Sequence, residues 1–210
     1  MRILGTTASH VLGATIPGAP TSFTATAASS SSINLSWAAP ANNGGAAITS
    51  YTLKRGATTI YTGAGTSVTD TGLSPATGYS YTVLATNSVG DGPTASASAT
   101  TSAGVPSAPS ISATQTVSQG LFYDEFDNSY YMSIWEISIP LSSNNGSTIT
   151  GTVVQYSGDG VTAWTTAYDG AAITTYTNYV LSGASNYYIR ALHKNSVGNG
   201  AISNSVYTPF

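Results

Sequence analysis

Residues 79–92 read YSYTVLATNSVGDG, and residues 187–200 read YYIRALHKNSVGNG, which is one pattern repeated 108 positions later. The first Tyr, the run Asn-Ser-Val-Gly and the final Gly coincide in the two stretches. Internal similarity at this spacing indicates two copies of one domain rather than a solenoid, whose repeats are about 20–50 residues long. The chain of 210 residues therefore divides into two domains, each long enough to bury a core of its own.

The protein carries few charges. Lys and Arg number 5 and Asp and Glu number 8, so charged residues make up 6% of the chain, against about 25% in an average soluble domain. Because nucleic-acid binding needs Lys and Arg to replace phosphate counterions, the composition argues against a nucleic-acid partner. It suits a protein that packs beside many neighbours, or one that faces a neutral polar ligand such as a glycan.

The sequence shows no membrane or export segment. It contains no cysteine, which excludes disulfides and thiolate metal sites. No stretch approaches 18 consecutive apolar residues, so we predict no membrane-spanning segment and no membrane partner. Residues 1–17 contain no apolar run long enough for a secretory signal. We therefore expect a protein that is made in a cytoplasm and is not exported by the general secretory route.

Both halves show the alternation of apolar and polar residues that is typical of β-strands. Ile33, Leu35 and Trp37 alternate with polar residues, and turns rich in Gly and Pro separate such runs. No segment has a helical period, so the sequence predicts an all-β protein built of sandwiches. We place an N-terminal arm, a first domain and a second domain at 1–16, 17–103 and 104–210.

The second domain is longer than the first because of two insertions. The offset between matching residues grows from 89 at Pro109 to 100 at Pro140 and 108 at Tyr187. We assign the added residues to insertions near 120–130 and 158–178. Insertions in a repeat usually sit in loops and often carry function, so both segments are candidate functional segments.

Three motifs mark the first domain: Ile33–Pro40 with its Trp37, Leu73–Tyr79, and Asn87–Gly92. Together they resemble the fibronectin type III family in its short bacterial and phage form. The resemblance implies two tandem immunoglobulin-like β-sandwiches, with Trp37 in the core and Tyr79 in a tyrosine corner. It implies no catalytic chemistry and no cofactor, only a role as a spacer, an adhesion module or a docking module.

The second domain resembles the same family less closely. Ile137 occupies the position of Trp37, and Trp135 lies two residues earlier on the same face of the strand. Tyr187 keeps the position of the corner tyrosine, although Gly183 replaces the proline of the first domain. We therefore expect a sandwich whose core contains Trp135, Ile137 and Tyr187 and is packed differently.

The first insertion holds the richest cluster of functional side chains. Carboxylate and amide oxygens are ligands that calcium prefers, although the acidic residues of this insertion are not spaced as in an EF-hand loop. The candidate metal ligands are Asp124, Glu125, Asp127 and Asn128. Aromatic side chains suit a protein interface or sugar stacking. The candidate partner-binding aromatics are Phe122, Tyr123, Phe126 and Tyr130. Two structural interpretations stay open: an acidic hairpin tip that holds no metal, and aromatics that fill a hairpin core.

Trp164 follows a turn and has two interpretations. It stacks on a sugar, or it covers the edge of the sandwich. His193 lies on an alternating strand at the position of Ala85, which favours local packing over catalysis. The sequence contains no His-Glu-x-x-His, no Gly-x-Ser-x-Gly and no phosphate-binding glycine loop, so we predict that the protein is not an enzyme.

Residues 1–16 are interpreted as an extended arm or as a frayed terminus. Candidates for docking on a partner are Ile3, Leu4, Val11 and Leu12. The opening Met1–Ser9 resembles the starts of phage structural proteins. With the arm and the low charge, it predicts a virion protein, either a capsid decoration or a tail-fibre accessory, that assembles with other virion proteins or with itself in the host cytoplasm. Two alternatives stay open: a module that binds glycan or a host surface, and a spacer of a secreted bacterial protein.

Overall fold

The computed structural model describes most of the chain, namely residues 13–123, 129–181 and 187–209. Side chains are described throughout these ranges except at 117–123, 129–132 and 179–181. The chain forms two compact units, Met1–Ser102 and Ala103–Phe210. Within the described ranges both units consist of antiparallel strands, and no helix long and apolar enough to cross a bilayer occurs there. The prediction of an all-β fold of tandem sandwiches is confirmed.

The first unit contains two sheets. Three strands pair in the order β1-β2-β5, with bounds β1 Thr21–Ala27, β2 Ser32–Ala38 and β5 Ser67–Thr71. Four strands pair in the order β4-β3-β6-β7, with bounds β3 Ile48–Arg55, β4 Thr58–Gly63, β6 Gly78–Asn87 and β7 Ala95–Thr100. Every pair is antiparallel, and side chains from the inner faces of both sheets form the core.

The second unit repeats this topology strand for strand. Its smaller sheet has the order β8-β9-β12, with bounds β8 Ser112–Tyr123, β9 Ser129–Ser138 and β12 Thr175–Leu181. Its larger sheet has the order β11-β10-β13-β14, with bounds β10 Ile149–Ser157, β11 Thr165–Ala171, β13 Tyr187–Asn195 and β14 Val206–Thr208. Each strand corresponds to the strand seven numbers earlier, so the repeat in the sequence reflects a repeat of the whole topology.

The first insertion lengthens a hairpin. β8 and β9 are 12 and 10 residues long, whereas β1 and β2 have 7 residues each. Near the end of the hairpin Phe122 lies opposite Tyr130. The segment near 120–130, which the repeat pattern places in a loop, is thus strand on both sides of residues 124–128. Antiparallel pairing satisfies the backbone groups of these strand residues, which a loop would leave to water.

Trp37 lies at the centre of the first core. Its side chain is 6% exposed, and it contacts the rings of Phe23, Tyr51 and Tyr61 edge-on at centroid distances of 6.1, 5.7 and 6.0 Å. Such edge-to-face pairs stabilise a core beyond the area that they bury. The strand alternation that places Trp37 inward also buries Ile33 and Leu35.

Tyr79 closes the turn that precedes β6. Its hydroxyl accepts a hydrogen bond of 2.9 Å from the amide of Ser74, while its ring packs against the core. A phenol that bonds backbone a few residues upstream is the arrangement called a tyrosine corner. The guanidinium of Arg55 lies 5.8 Å from the centre of the same ring. The half-buried tyrosine therefore fixes the path of the chain into the central strand of the larger sheet.

The second core holds the corresponding residues in a different packing. Ile137 is fully buried, and the half-buried Trp135 donates its indole N–H to the carbonyl of Pro209 at 3.0 Å. Tyr187 packs edge-on against Tyr156 at 5.2 Å. All of these side chains belong to, or pack against, the buried cluster of the second unit.

The two cores also differ at a pair of facing positions. Tyr51 pairs with Ala85 across β3 and β6, and Thr152 pairs with His193 at the corresponding positions of β10 and β13. The larger side chain has therefore moved to the opposite strand. His193 is fully buried, with Nδ1 3.3 Å from the Thr152 hydroxyl and Nε2 3.3 Å from the Pro140 carbonyl. Because a carbonyl only accepts, Nε2 is the donor to Pro140. Both ring nitrogens thus have partners inside the fold, so we interpret His193 as a residue that stabilises the core.

We expect His193→Ala to lower the free energy of unfolding of the second unit by about 2–4 kcal/mol. The change removes a buried ring and deprives the Pro140 carbonyl of its donor. Urea titration monitored by hydrogen exchange of the β13 amides would measure the loss. His193→Gln, which keeps a side-chain donor, should recover part of it. A loss below about 0.5 kcal/mol in the Ala variant would contradict a stabilising role for the ring.

The asparagine of the repeated motif joins three segments of the first unit. Asn87 is 4% exposed, and its Nδ2 donates to the carbonyls of Thr15 and Asn43 at 2.7 and 2.9 Å. Its Oδ1 accepts from the amides of Val89 and Gly90 at 2.9 and 3.2 Å. One side chain thus connects the segment before β1, the β2–β3 loop and the β6–β7 turn.

Asn195 repeats this arrangement in the second unit. Its Nδ2 donates to the carbonyls of Gly104, Asn144 and Ser147 at 2.8, 3.3 and 3.4 Å, and its Oδ1 accepts from the amides of Val197 and Gly198 at 2.9 and 3.1 Å. The residue is 7% exposed. The similarity between residues 79–92 and 187–200 therefore follows from the structural role that the two asparagines share.

The last glycine of the motif permits a close backbone approach. A Cβ at Gly92 would lie 2.4 Å from the carbonyl oxygen of Pro17, and a Cβ at Gly200 would lie 2.4 Å from that of Pro106. No side chain fits at such distances, because backbone rather than a mobile side chain blocks the space. Both units therefore require glycine where the chain passes the segment that precedes the first strand.

Candidate functional site

The outward residues of β13 distinguish the second unit from the first. Ile189, Ala191 and His193 are buried towards the core, so the residues between them face outwards. The outward set is Tyr188, Arg190, Leu192 and Lys194. The corresponding positions of β6 hold Ser80, Thr82, Leu84 and Thr86. The second unit thus carries aromatic and cationic groups where the first carries small hydroxyl groups.

A longer loop lies beside this face. Residues 158–164 join β10 to β11, whereas Gly56 and Ala57 alone join the corresponding strands β3 and β4. The loop falls within the segment 158–178 that the repeat offset nominates as an insertion. The remaining part of that segment belongs mainly to β11 and β12.

Asp159 organises the loop. Its Oδ1 accepts from the amides of Val161 and Thr162 at 2.9 and 2.8 Å and from the Ser157 hydroxyl at 2.7 Å, and the Thr162 hydroxyl donates to Oδ2. These hydrogen bonds, with those from the Thr162 and Ser157 hydroxyls foremost, hold the pKa of the Asp159 carboxyl far below its usual range. A short carboxylate that satisfies several backbone amides fixes a turn in one conformation.

The loop lies against the outer face of the sheet. Gly160 has a φ of +72°, and a Cβ there would meet the ring of Tyr188 at 2.8 Å, so the backbone can pack on the ring only at a glycine. The Arg190 guanidinium lies 3.9 Å from the centre of the Trp164 ring, and its Nε donates to Oε1 of Gln155 at 2.9 Å. Trp164 is thus held by a cation–π contact across β10.

Two side chains of this region are prominently exposed. Val161 at the tip of the loop is 78% exposed, and Tyr207 on β14 is 46% exposed. The ring of Tyr207 lies 4.9 Å from that of Tyr188 at an interplanar angle of 39°. We name the surface formed by these residues the Tyr207 face; it comprises Val161, Trp164, Tyr188, Arg190 and Tyr207. An ordered loop that presents exposed apolar groups beside aromatic rings is a candidate binding surface.

The residues that the sequence nominates fall largely elsewhere. Outside the described residues lie Ile3, Leu4, Val11, Leu12, Asp124, Glu125, Phe126, Asp127 and Asn128. Phe122, Tyr123 and Tyr130 lie in β8 and β9, where the structure describes the backbone and not the side chains. Trp164 lies on the Tyr207 face. Within the described ranges no group of three or more His, Asp or Glu side chains is placed to hold a metal ion.

Sequence reasoning named Trp164 and the segment 158–178 that contains Val161, but it missed the other three members of the face, namely Tyr188, Arg190 and Tyr207. The signal was present in the repeat itself. Where two copies of one strand are aligned, a change at outward positions from Ser and Thr to Tyr and Arg marks a surface with a new role. Tyr207 gives no comparable signal, because β14 is only three residues long.

We expect Asp159→Ala to free the loop 158–164, because four donor groups lose their shared acceptor. The steady-state heteronuclear NOE of the Val161 and Thr162 amides should fall to values typical of flexible loops. Asp159→Asn keeps an oxygen acceptor and should preserve most of the order. Because the carboxyl pKa is lowered in the fold, its contribution is present above the ordinary value of about 4 and is lost only in stronger acid. Loosening between pH 7 and pH 5 would contradict this account.

Two bacterial relatives match parts of the chain. Exoglucanase B of Cellulomonas fimi is 40% identical over 83 residues, which are 40% of this chain and 8% of that protein. An alpha-amylase of Niallia circulans is 41% identical over 90 residues, which are 42% of this chain and 7% of that protein. The matches thus span less than a tenth of the length of these curated relatives.

Two solved structures match the chain at low sequence identity. The FN1–FN3 domains of chicken CNTN1 match with a TM-score of 0.47 and 20% identity, covering 91% of this chain and 65% of that chain. A structure described as FN3tt mut matches with a TM-score of 0.37 and 22% identity, covering 41% of this chain and 97% of that chain.

The family match covers the first unit. The fibronectin type III domain family matches residues 18–102, where the sequence motifs predict it. The second unit has the same strand order in both sheets. The first unit thus carries the fibronectin type III match, and the chain folds as two tandem immunoglobulin-like β-sandwiches.

Proposed function

We propose that the chain is a non-catalytic spacer, a pair of modules that separates functional domains within a longer bacterial protein acting outside the cell. One observation carries the proposal: segments about 40% identical to this chain amount to 8% and 7% of two much longer proteins. A domain that recurs as a small part of different large proteins is a module whose neighbours supply the activity.

The names of the two relatives support this role. One is an exoglucanase and the other an alpha-amylase, so related segments accompany two different activities. A segment shared by both does not specify either reaction. The fibronectin type III domain is typically a non-catalytic module. Both names denote enzymes that act on glucan polymers, and such polymers do not cross a membrane, which supports a location outside the cell for the proposed spacer.

The construction of each unit suits a spacer. Each unit has its own buried cluster and its own pair of sheets, so each has what a domain needs to fold independently. The virion interpretation of the sequence stays a prediction. The comparisons favour the spacer alternative, since both relatives are bacterial proteins with named glycan-directed activities.

An exchange of modules tests the proposal. Residues 18–102 would replace the matching segment of Cellulomonas fimi Exoglucanase B, and exoglucanase activity would be compared with that of the native enzyme, of a deletion of the segment, and of a Gly-Ser linker of equal residue number. A spacer should retain activity within about twofold in the exchange, whereas the deletion and the flexible linker should lower it. An exchanged enzyme as impaired as the deletion would show that the native segment supplies more than spacing.

A further inference from the structure

We propose that the Tyr207 face of the second unit binds an uncharged glucan chain. The inference rests on the proposed function, because it gives the second unit a direct contact with the kind of polymer on which the neighbouring domains act. It goes beyond spacing, since it assigns a ligand to one face of one unit.

The rings of the face are in place before a ligand arrives. The ring centres of Tyr188 and Tyr207 lie 4.9 Å apart with their planes tilted by 39°, Gly160 packs on Tyr188, and the Arg190 guanidinium lies 3.9 Å from the centre of the Trp164 ring. Sugar rings present C–H groups to aromatic surfaces of this kind. Because the rings and the loop are already ordered, binding costs little conformational entropy.

The charge of the face matches an uncharged ligand. Lys194 is paired with Asp169, and the oxygens of Asp159 are satisfied within the loop. The formal charges of these three residues and of Arg190 cancel. Arg190 donates through its Nε to Gln155, and its guanidinium, which carries further N–H donors, lies beside the Trp164 ring. Aromatic surface with a few donors and no net charge complements a hydroxyl-rich polymer rather than an anionic one.

The face is also shaped for a polymer. Val161 and Tyr207 project from the outer surface of the sheet, at 78% and 46% exposure. A ligand therefore reaches them from outside without entering a cavity. An accessible surface of this kind accepts an internal segment of a long chain, whereas an enclosed pocket would select a single sugar or a chain end.

The first unit provides an internal comparison. The position of Tyr188 is occupied there by Ser80, and Ser98 lies opposite Ser80 as Tyr207 lies opposite Tyr188. The loop is replaced by the turn Gly56-Ala57. The same fold thus appears once with the aromatic face and once without it, which indicates that the fold itself does not require the face.

Affinity electrophoresis of the full chain tests the proposal, with hydroxyethylcellulose or soluble starch in the gel and polygalacturonate as the anionic comparison. We expect retardation by at least one neutral glucan, unchanged between 50 and 500 mM salt. Tyr207→Ala should weaken binding at least tenfold, Tyr207→Phe should retain most of it, and Ser98→Ala in the first unit should leave it within twofold. Val161→Ser, at an exposed loop tip, serves as a second variant if Tyr207→Ala disturbs folding.

Three outcomes would overturn the proposal: no retardation by either neutral glucan, retardation by polygalacturonate alone, or equal binding by the wild type and by folded variants of Tyr207 and Val161. The result is separable from the module exchange, which uses only residues 18–102. Failure of glucan binding leaves the spacer role standing, and failure of the exchange leaves the binding result standing.

Discussion

Replacing Asp70 by Ala should lower the free energy of unfolding of the first unit by about 3–4 kcal/mol. Asp70 on β5 is 8% exposed, and its two oxygens accept from Nη1 of Arg55 on β3 at 2.9 and 2.8 Å. Its Oδ2 also accepts from the Tyr81 hydroxyl on β6 at 2.9 Å. Since β5 belongs to one sheet and β3 and β6 to the other, the carboxylate links the two sheets through the core.

The size of the effect follows from what the substitution leaves behind. The Tyr81 side chain is 1% exposed, so its hydroxyl would lose its acceptor in a place that water does not reach. The Arg55 side chain is about one-third exposed, so water would partly replace the lost partner of its guanidinium. The expected loss is therefore in the lower part of the range for a broken buried ion pair.

Calorimetry of the full chain would measure the effect as a fall of about 15 °C in the melting transition of the first unit. Hydrogen exchange of the β6 and β13 amides would assign the transitions, with β13 unchanged. Asp70→Asn, which keeps an acceptor for Tyr81, should lose less than Asp70→Ala. An Ala variant within 1 kcal/mol of the wild type would refute the link between the sheets.

The cluster of Arg55, Asp70 and Tyr81 should also make the stability of the first unit fall at alkaline pH. Burial, with the hydrogen bond to Asp70, raises the pKa of Tyr81 well above the ordinary tyrosine value of about 10. A raised pKa in the fold contributes stability that is fully present below the unfolded value and is lost as pH rises above it. The free energy of unfolding should therefore fall above about pH 10, and Tyr81→Phe should remove this dependence.

Much of the fold follows from local pattern in the sequence. The alternation at Ile33, Leu35 and Trp37 predicts a half-buried strand, and the structure buries all three. The pair Tyr51 and Ala85 of the first unit corresponds to Thr152 and His193 in the second, and this difference was not predictable in the same way. It depends on which residues face each other across two strands, and that register is set by tertiary pairing.

The cluster of Arg55, Asp70 and Tyr81 and the candidate site could not be predicted from the sequence for a similar reason. Arg55 and Asp70 are distant in sequence and lie in different sheets, so no spacing rule connects them. The sequence suggested Trp164 as a candidate binding residue. Its contact with Arg190 could not be predicted, because it depends on how the loop 158–164 lies against β13. Pattern predicts which residues face inwards, but it does not predict which outward side chains meet.

Replacing Asn87 by Ala should destabilise the first unit by about 3 kcal/mol, and Asn195→Ala should destabilise the second by a similar amount. Asn87 donates to two backbone carbonyls and Asn195 to three, and each accepts from two amides while being almost fully buried. Alanine leaves these backbone groups without their partner. The loss should exceed that of a surface hydrogen bond, because water has little access to them.

Replacing Asn87 by Asp separates the hydrogen bonds that the side chain donates from those that it accepts. Asn87→Asp keeps the acceptor for the amides of Val89 and Gly90 but sets a carboxylate oxygen against the carbonyls of Thr15 and Asn43. It should therefore be at least as damaging as alanine, whereas Ser88→Ala on the exposed neighbour should be neutral. Denaturant titration of each variant would give the comparison. An aspartate variant as stable as the wild type would place the stabilisation in the turn alone, and the motif would then not bind the three segments together.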